Sequence, residues 1–133
     1  MNAFASSASP TIALIADGDP HFRNRVRKLL LKRHNMFVAE LETGISVWHQ
    51  AAVTHPDLLV IAAKLPFLDG LSIAKMIRHI RTTSKTRILL VGEQGQHKEK
   101  HPDPSVIDMF LCKPLTTEQL ESALSLLLDP QRT

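Results

Sequence analysis

The stretch Pro56-Asp57-Leu58-Leu59-Val60-Ile61-Ala62-Ala63-Lys64-Leu65-Pro66-Phe67-Leu68-Asp69-Gly70 decides how the rest of the chain is read. Leu58–Ala62 is an unbroken apolar run between turn residues, the pattern of a strand buried on both faces of a parallel sheet. Leu65-Pro66 and Asp69-Gly70 then make a tight loop that opens a helical pattern. In open α/β sheets, ligands and chemistry gather at the carboxyl ends of the strands. Here that end is Ala62-Ala63, which offers no nucleophile, no base and no metal ligand.

Working back toward the amino terminus, Thr43-Gly44 turns into a helix with Ile45, Trp48 and Ala52 on one face, and residues 36–40 form a short strand. Before them, Phe22, Val26, Leu29 and Leu30 recur at helical spacing, predicting an amphipathic helix to about residue 34. Its start is marked by Asp19, a natural N-cap, and by Pro20, which suits a first helical turn. Thr11–Ala16 is a further apolar run, a first strand ending in Asp17-Gly18-Asp19-Pro20.

Toward the carboxyl terminus, Leu71, Ala74, Ile77 and Arg81 trace one side of a third helix, and Ile73, Met76 and Ile80 widen its apolar stripe. Residues 88–91 read as a fourth strand ended by Gly92. The polar segment 93–105 leaves room for only a short helix, at 96–101, and 106–112 is a fifth strand closed by Lys113-Pro114. Thr116 or Thr117 caps a last helix with Leu120, Ala123, Leu124 and Leu127 inward. Strands alternating with helices give a parallel sheet covered on both faces. Periodicity does not give the strand order.

The 133 residues fit one domain with a real core, and 44% hydrophobic with 22% charged residues is ordinary for a globular protein. Residues 1–10 read as a disordered lead, 11–128 as the domain, and 129–133 as a tail or the start of a linker. A single cysteine, Cys112, excludes an internal disulfide, and no run approaches the roughly 18 apolar residues of a membrane span. A cytoplasmic location is the default expectation. The net charge of +3 is mild, yet residues 20–39 hold no acid while carrying Arg23, Arg25, Arg27, Lys28, Lys32 and Arg33. Without aromatic interleaving or a DNA-reading helix, this cluster reads as a solvated helix face rather than a nucleic-acid surface.

The ordered set of short motifs resembles the receiver domain of response regulators, the phospho-aspartate module of two-component signalling. It consists of Asp17-Gly18-Asp19-Pro20, Pro56-Asp57-Leu58, Leu65-Pro66 with Asp69-Gly70, and Lys113-Pro114, spanning about residues 12–127. The resemblance implies a doubly wound, flavodoxin-like α/β fold with strand order 2-1-3-4-5, an order that general accounts of such sheets illustrate with a member of this family. It also implies a phosphorylation pocket. An acidic pair holds Mg²⁺, an Asp ends strand three, a Thr or Ser ends strand four, and a Lys ends strand five; together they neutralise the phosphoryl oxygens while the carboxylate attacks.

Carried over residue by residue, that pocket is degenerate. Asp17 keeps the first acidic position, but Gly18 takes the second, Ala62 the acceptor and Gly92 the hydroxyl position. Lys113 survives, with Phe110 at the aromatic switch position three residues earlier. Asp57 and Asp69 match structural positions of their own, and Asp19 is engaged as a helix cap, so no displaced nucleophile and no bound metal or other cofactor are expected. Lys64, in the loop over the emptied acceptor position, either points into water or approaches Asp17 in the cation's place.

The resemblance therefore implies a pseudo-receiver, a phosphorylation-independent interaction module. Its partners would be a histidine kinase, an output domain or a second copy in a homodimer, met through the fourth helix, fifth strand and last helix. The alternative is a sensor of a small anion or nucleotide in the emptied pocket. An enzyme is not expected, since no nucleophile–base pair, Gly-rich phosphate loop or metal-ligand cluster is present and the histidines lack ligand spacing.

Overall fold

The computed structural model describes residues 9–94 and 103–129. Five strands, β1 (Thr11–Ala16), β2 (Met36–Leu41), β3 (Leu58–Ala62), β4 (Arg87–Gly92) and β5 (Met109–Cys112), form one sheet. All its pairs are parallel and its order is β2-β1-β3-β4-β5. Helices α1 (Pro20–Leu31), α2 (Gly44–Thr54), α3 (Gly70–His79) and α4 (Thr117–Leu128) connect and flank the strands.

Strand periodicity divides the core in two. Ala13, Ile15, Leu58, Val60, Leu89 and Val91 point to one face, where Phe22, Val26 and Leu30 of α1 meet Leu120, Leu124 and Leu127 of α4. Leu14, Leu59, Ile61, Ile88 and Leu90 point to the other, against Val47 and Ala51 of α2 and Ile73, Ala74 and Ile77 of α3. Every residue of β3 is buried, as expected for a central strand with helices on both sides.

The helix starts follow the predicted chemistry. The side chains of Asp19, Thr43, Asp69 and Thr116 accept the backbone N–H of His21, Ser46, Ser72 and Gln119, and Thr116 with Gln119 completes a capping box.

Several ends differ from expectation. Helix α1 stops at Leu31 instead of running to residue 34, where the chain turns through Asn35 at positive φ. Helix α3 stops at His79, so Ile80 and Arg81 do not extend its stripe. Ile80 is extended, a 3₁₀ turn (Arg81–Thr83) follows, and the buried Thr83 hydroxyl donates to the Ile77 carbonyl, which also accepts the Ile80 N–H. Strand β5 begins at Met109, not 106. Val106 and Ile107 instead donate their N–H groups to the Asp103 carbonyl in a turn, with side chains packed on the α2/α3 face. The short helix expected at 96–101 lies outside the described residues.

Candidate functional site

Strand register assembles the carboxyl edge of the sheet. Ala16 lies beside Ile61, so Asp17 falls level with Ala62; Ala62 in turn pairs with Val91, and Gly92 with Cys112. Lys113, one step beyond, donates its N–H to the Gly92 carbonyl. Asp17, Gly18, Ala62, Gly92 and Lys113 are thereby gathered within one or two register steps. The sequence expectation places the same residues in one pocket.

Ala62 is only 3% exposed and closes β3 with a methyl group. Its carbonyl oxygen faces Gly70, where any Cβ would overlap it, and Gly70 donates its N–H to the neighbouring Ala63 carbonyl at 2.9 Å. Only glycine allows α3 to start so close to the strand tip. The opposite holds at Gly18, where a Cβ would meet nothing within 4 Å.

Asp17, 4% exposed, has both carboxylate oxygens engaged. Oδ1 accepts the Asp19 N–H at 2.8 Å. Oδ2 faces the Lys113 ammonium at 3.0 Å and accepts no directed hydrogen bond among the described residues, so this contact is ionic. The ammonium also stands 4.5 Å from the centre of the Phe22 ring, a cation–π contact worth on the order of 1 kcal/mol. Asp19 turns the other way: its carboxylate caps α1 through the His21 N–H at 2.9 Å. That amide, opposed by desolvation and helped by the Phe22 N–H and the Lys113 charge, lowers the Asp19 pKa from its ordinary value.

This geometry decides between the two readings of Lys64 in favour of the side chain that points into water. Lys64 is exposed, and the counter-ion of Asp17 is Lys113. The β3–α3 loop carries the Lys64 side chain outward, whereas the residue after β5 is delivered onto β1 by the register. Phe110 is half-buried against the α2/α3 face of the core. Asp57 sits at the far, amino edge of the sheet, where its carboxylate accepts the Ile12 N–H at 2.8 Å.

Two features escaped the sequence reading. The Phe22 ring lines the core, as its helical spacing predicts, and also seats Lys113. The basic run of α1 is not a bare solvated face: Arg23 and Arg27 reach Glu40 of β2, Arg23 also holds the Asp17 carbonyl at 2.7 Å, Arg33 meets Asp129, and Arg25 donates to the Leu115 carbonyl. The acids missing from α1 are supplied by its neighbours. Their spacing in sequence gave no signal.

A carboxylate paired with an ammonium, a capping carboxylate and two positions without side-chain oxygens make a poor metal site, since Mg²⁺ demands near-octahedral oxygen ligation. Among the described residues, no group of three His, Cys, Asp or Glu side chains is arranged to hold a metal ion. The residues present do not fit the ion that the fold family implies.

Residues 13–125 match the family model of the response regulator receiver domain, and the chain belongs to that family. It is 26% identical to the chemotaxis protein CheY of Bacillus subtilis, over 84% of this chain and 92% of that protein. It is 28% identical to the DNA-binding dual master transcriptional regulator RpaA of Synechocystis, over 80% of this chain but only 44% of that regulator's length. Among solved structures it resembles the chemotaxis response regulator CheY4 of Vibrio cholerae, with a TM-score of 0.78 at 20% identity, covering 90% of this chain and all (100%) of that one. The receiver domain of AraT from Geobacillus stearothermophilus gives 0.77 at 22% identity, covering 88% and 92% of the two chains. The chain is thus a receiver domain of two-component signalling, and none of its described helices is long and apolar enough to cross a membrane.

Proposed function

We propose that this receiver works as a phosphorylation-independent protein-interaction module. The observation that carries the reading is Ala62, a buried methyl group at the tip of β3 where the family places its phosphoryl acceptor. No oxygen stands there to attack phosphorus, and Gly18 and Gly92 remove the second metal ligand and the switch hydroxyl. Lys113 supports the reading too: with no acceptor to meet, its charge is spent on Asp17 at 3.0 Å, tying the β1–α1 loop to the β5–α4 loop in one arrangement. A phosphoryl group shifts a surface only through groups that sense it, and the hydroxyl position that would do so is Gly92.

The contacts of such a module are protein surfaces: a histidine kinase, an output domain or the chain itself, met through the β5–α4 side of the domain. Nucleic acid is not favoured, because the arginines of α1 are engaged within the fold. A small-ligand sensor is not favoured either, because the Lys113 ammonium that would meet an anion is held by Asp17 at 3.0 Å. No group is assigned to catalysis, and the domain acts by contact alone.

The test combines a calorimetric Mg²⁺ titration with exposure to acetyl phosphate. Saturable Mg²⁺ binding accompanied by a stable phosphoryl adduct would overturn the reading; heats of dilution and an unchanged intact mass support it.

A further inference from the structure

The loop over the emptied site holds an unusual residue. Phe67 is 92% exposed and has φ 71°, and it is the centre of a three-residue turn closed by the Leu68 N–H on the Pro66 carbonyl at 2.8 Å. A positive φ at the centre of a γ-turn is the rare, strained form, and a bulky aromatic side chain is among the least suited to it. The loop is not loose. It is fastened on one side by Gly70 N–H on the Ala63 carbonyl and on the other by Asp69, which caps α3. Beside Phe67 stand Leu68, 37% exposed, and the cation Lys64. An aromatic ring this exposed, beside a second apolar side chain and held in place by a fastened loop, is a surface suited to being covered by a partner.

A matching receptacle exists on the same chain. Between β5 and α4 runs an apolar groove of about 340 Å³, floored by Met109, Leu111, Ala123 and Leu126. Glu118 stands on its rim, and Leu126 is itself 57% exposed. The groove has the chemistry to take one aromatic side chain and its apolar neighbour, and its acid complements the cation beside the anchor. Phe67 does not fill the groove of its own chain, being almost fully exposed.

We propose that the chain associates head to tail with a second copy, Phe67 of one copy seated in the β5–α4 groove of the next, with Lys64 facing Glu118 at the rim. The contact is heterologous, so each copy keeps one free anchor and one free groove, and the assembly grows beyond a dimer or closes into a ring. This names the partner in the interaction-module reading and rests on it. It does not rest on the absence of phosphorylation, which the acetyl phosphate experiment tests separately.

Sedimentation of the whole chain from about 10 μM to 1 mM tests it, a range suited to weak assembly. The wild type is expected to associate with concentration past the dimer. Phe67→Gly and Leu126→Glu are each expected to weaken association at least about tenfold, as loss of a central anchor does. Phe67→Gly is expected to melt no lower than wild type, because glycine relieves the positive φ. Mixing the two variants is decisive: one keeps its groove and the other its anchor, so the mixture restores a heterodimer that stops at two. A wild type that stays monomeric at 1 mM overturns the proposal. So does Phe67→Gly associating like wild type, which points to a symmetric contact through the groove, or a mixture that fails to pair.

Discussion

The two ends of the sheet differ in how their polar groups are used. At the amino edge, Arg78 of α3 donates to the carbonyls of Ser84, Thr86 and Val106 and to the Asp108 carboxylate, all within 2.7–3.0 Å. Asp108 also accepts the Ile88 N–H, and the buried Thr86 hydroxyl donates to the Pro56 carbonyl. At the carboxyl edge, residues 18, 62 and 92 are Gly, Ala and Gly, and among the described residues the Asp17–Lys113 ion pair ties the β1–α1 loop to the β5–α4 loop. The amino edge is built to hold the fold, and losing any part of it leaves buried acceptors without partners. The carboxyl edge has the receiver sheet order but small side chains at residues 18, 62 and 92. On the function proposed above, fold and chemistry are separable in this domain, and the two edges are expected to respond differently to substitution.

The largest effect is expected at the amino edge. Arg78→Ala takes the guanidinium from three carbonyls and from the Asp108 carboxylate, and urea denaturation is expected to show a loss of about 4 kcal/mol. Arg78→Lys is expected to recover less than half, since an ammonium cannot reproduce the planar fork. If Arg78→Ala unfolds at the wild-type midpoint, the contrast between the edges fails.

Next comes Gly70→Ala, whose methyl group would overlap the Ala62 carbonyl; about 3 kcal/mol is expected, because backbone cannot move aside as a side chain can. Gly18→Ala, with open space at its Cβ, is the matched control and is expected to change stability by less than about 1 kcal/mol. Equal losses in the two variants would show that the carboxyl edge is packed more uniformly than described.

Lys113→Met leaves the Asp17 carboxylate buried without its counter-ion. About 2 kcal/mol is expected, below the range for fully buried pairs because the Lys113 side chain is 21% exposed. Adding Asp17→Asn is expected to restore most of it, a coupling that a double-mutant cycle reads directly. Additive losses would remove the ion pair from the account.

The smallest effect is a pH dependence. The folded-state pKa of Asp19 lies below its ordinary value of 3.8, so its capping contribution is fully present above that value and fades as pH falls through the lower folded one. Thermal melts of Asp19→Asn are expected to show a shallower decline below pH 3.8 than wild type. Parallel curves would argue that the cap does not depend on charge.

Much of this was legible in the sequence. The apolar runs of β1, β3 and β4 and the caps Asp19 and Thr116 depend on neighbours in the chain, and they sit where the residues predicted. The resemblance supplied the strand order, and with it the gathering of Asp17, Ala62, Gly92 and Lys113. What escaped was fixed by contacts between distant residues. Helix α3 ends two residues early because Arg78 and Thr83 tie the following turn to other elements. The choice between Lys64 and Lys113 as the partner of Asp17 depended on which way a loop turns, and spacing along the chain does not contain that direction. Arg23, Arg27 and Arg33 read as solvated because their acids, Glu40 and Asp129, lie on β2 and beyond α4.

The central claim, a receiver frame emptied of its reaction, is tested most directly by rebuilding it. Wild type and the Gly18→Asp/Ala62→Asp variant are incubated side by side with acetyl phosphate and Mg²⁺ and their intact masses compared. The account predicts no phosphoryl adduct on the wild type and an adduct on the rebuilt variant at its residue 62. An adduct of equal yield on the wild type would contradict it.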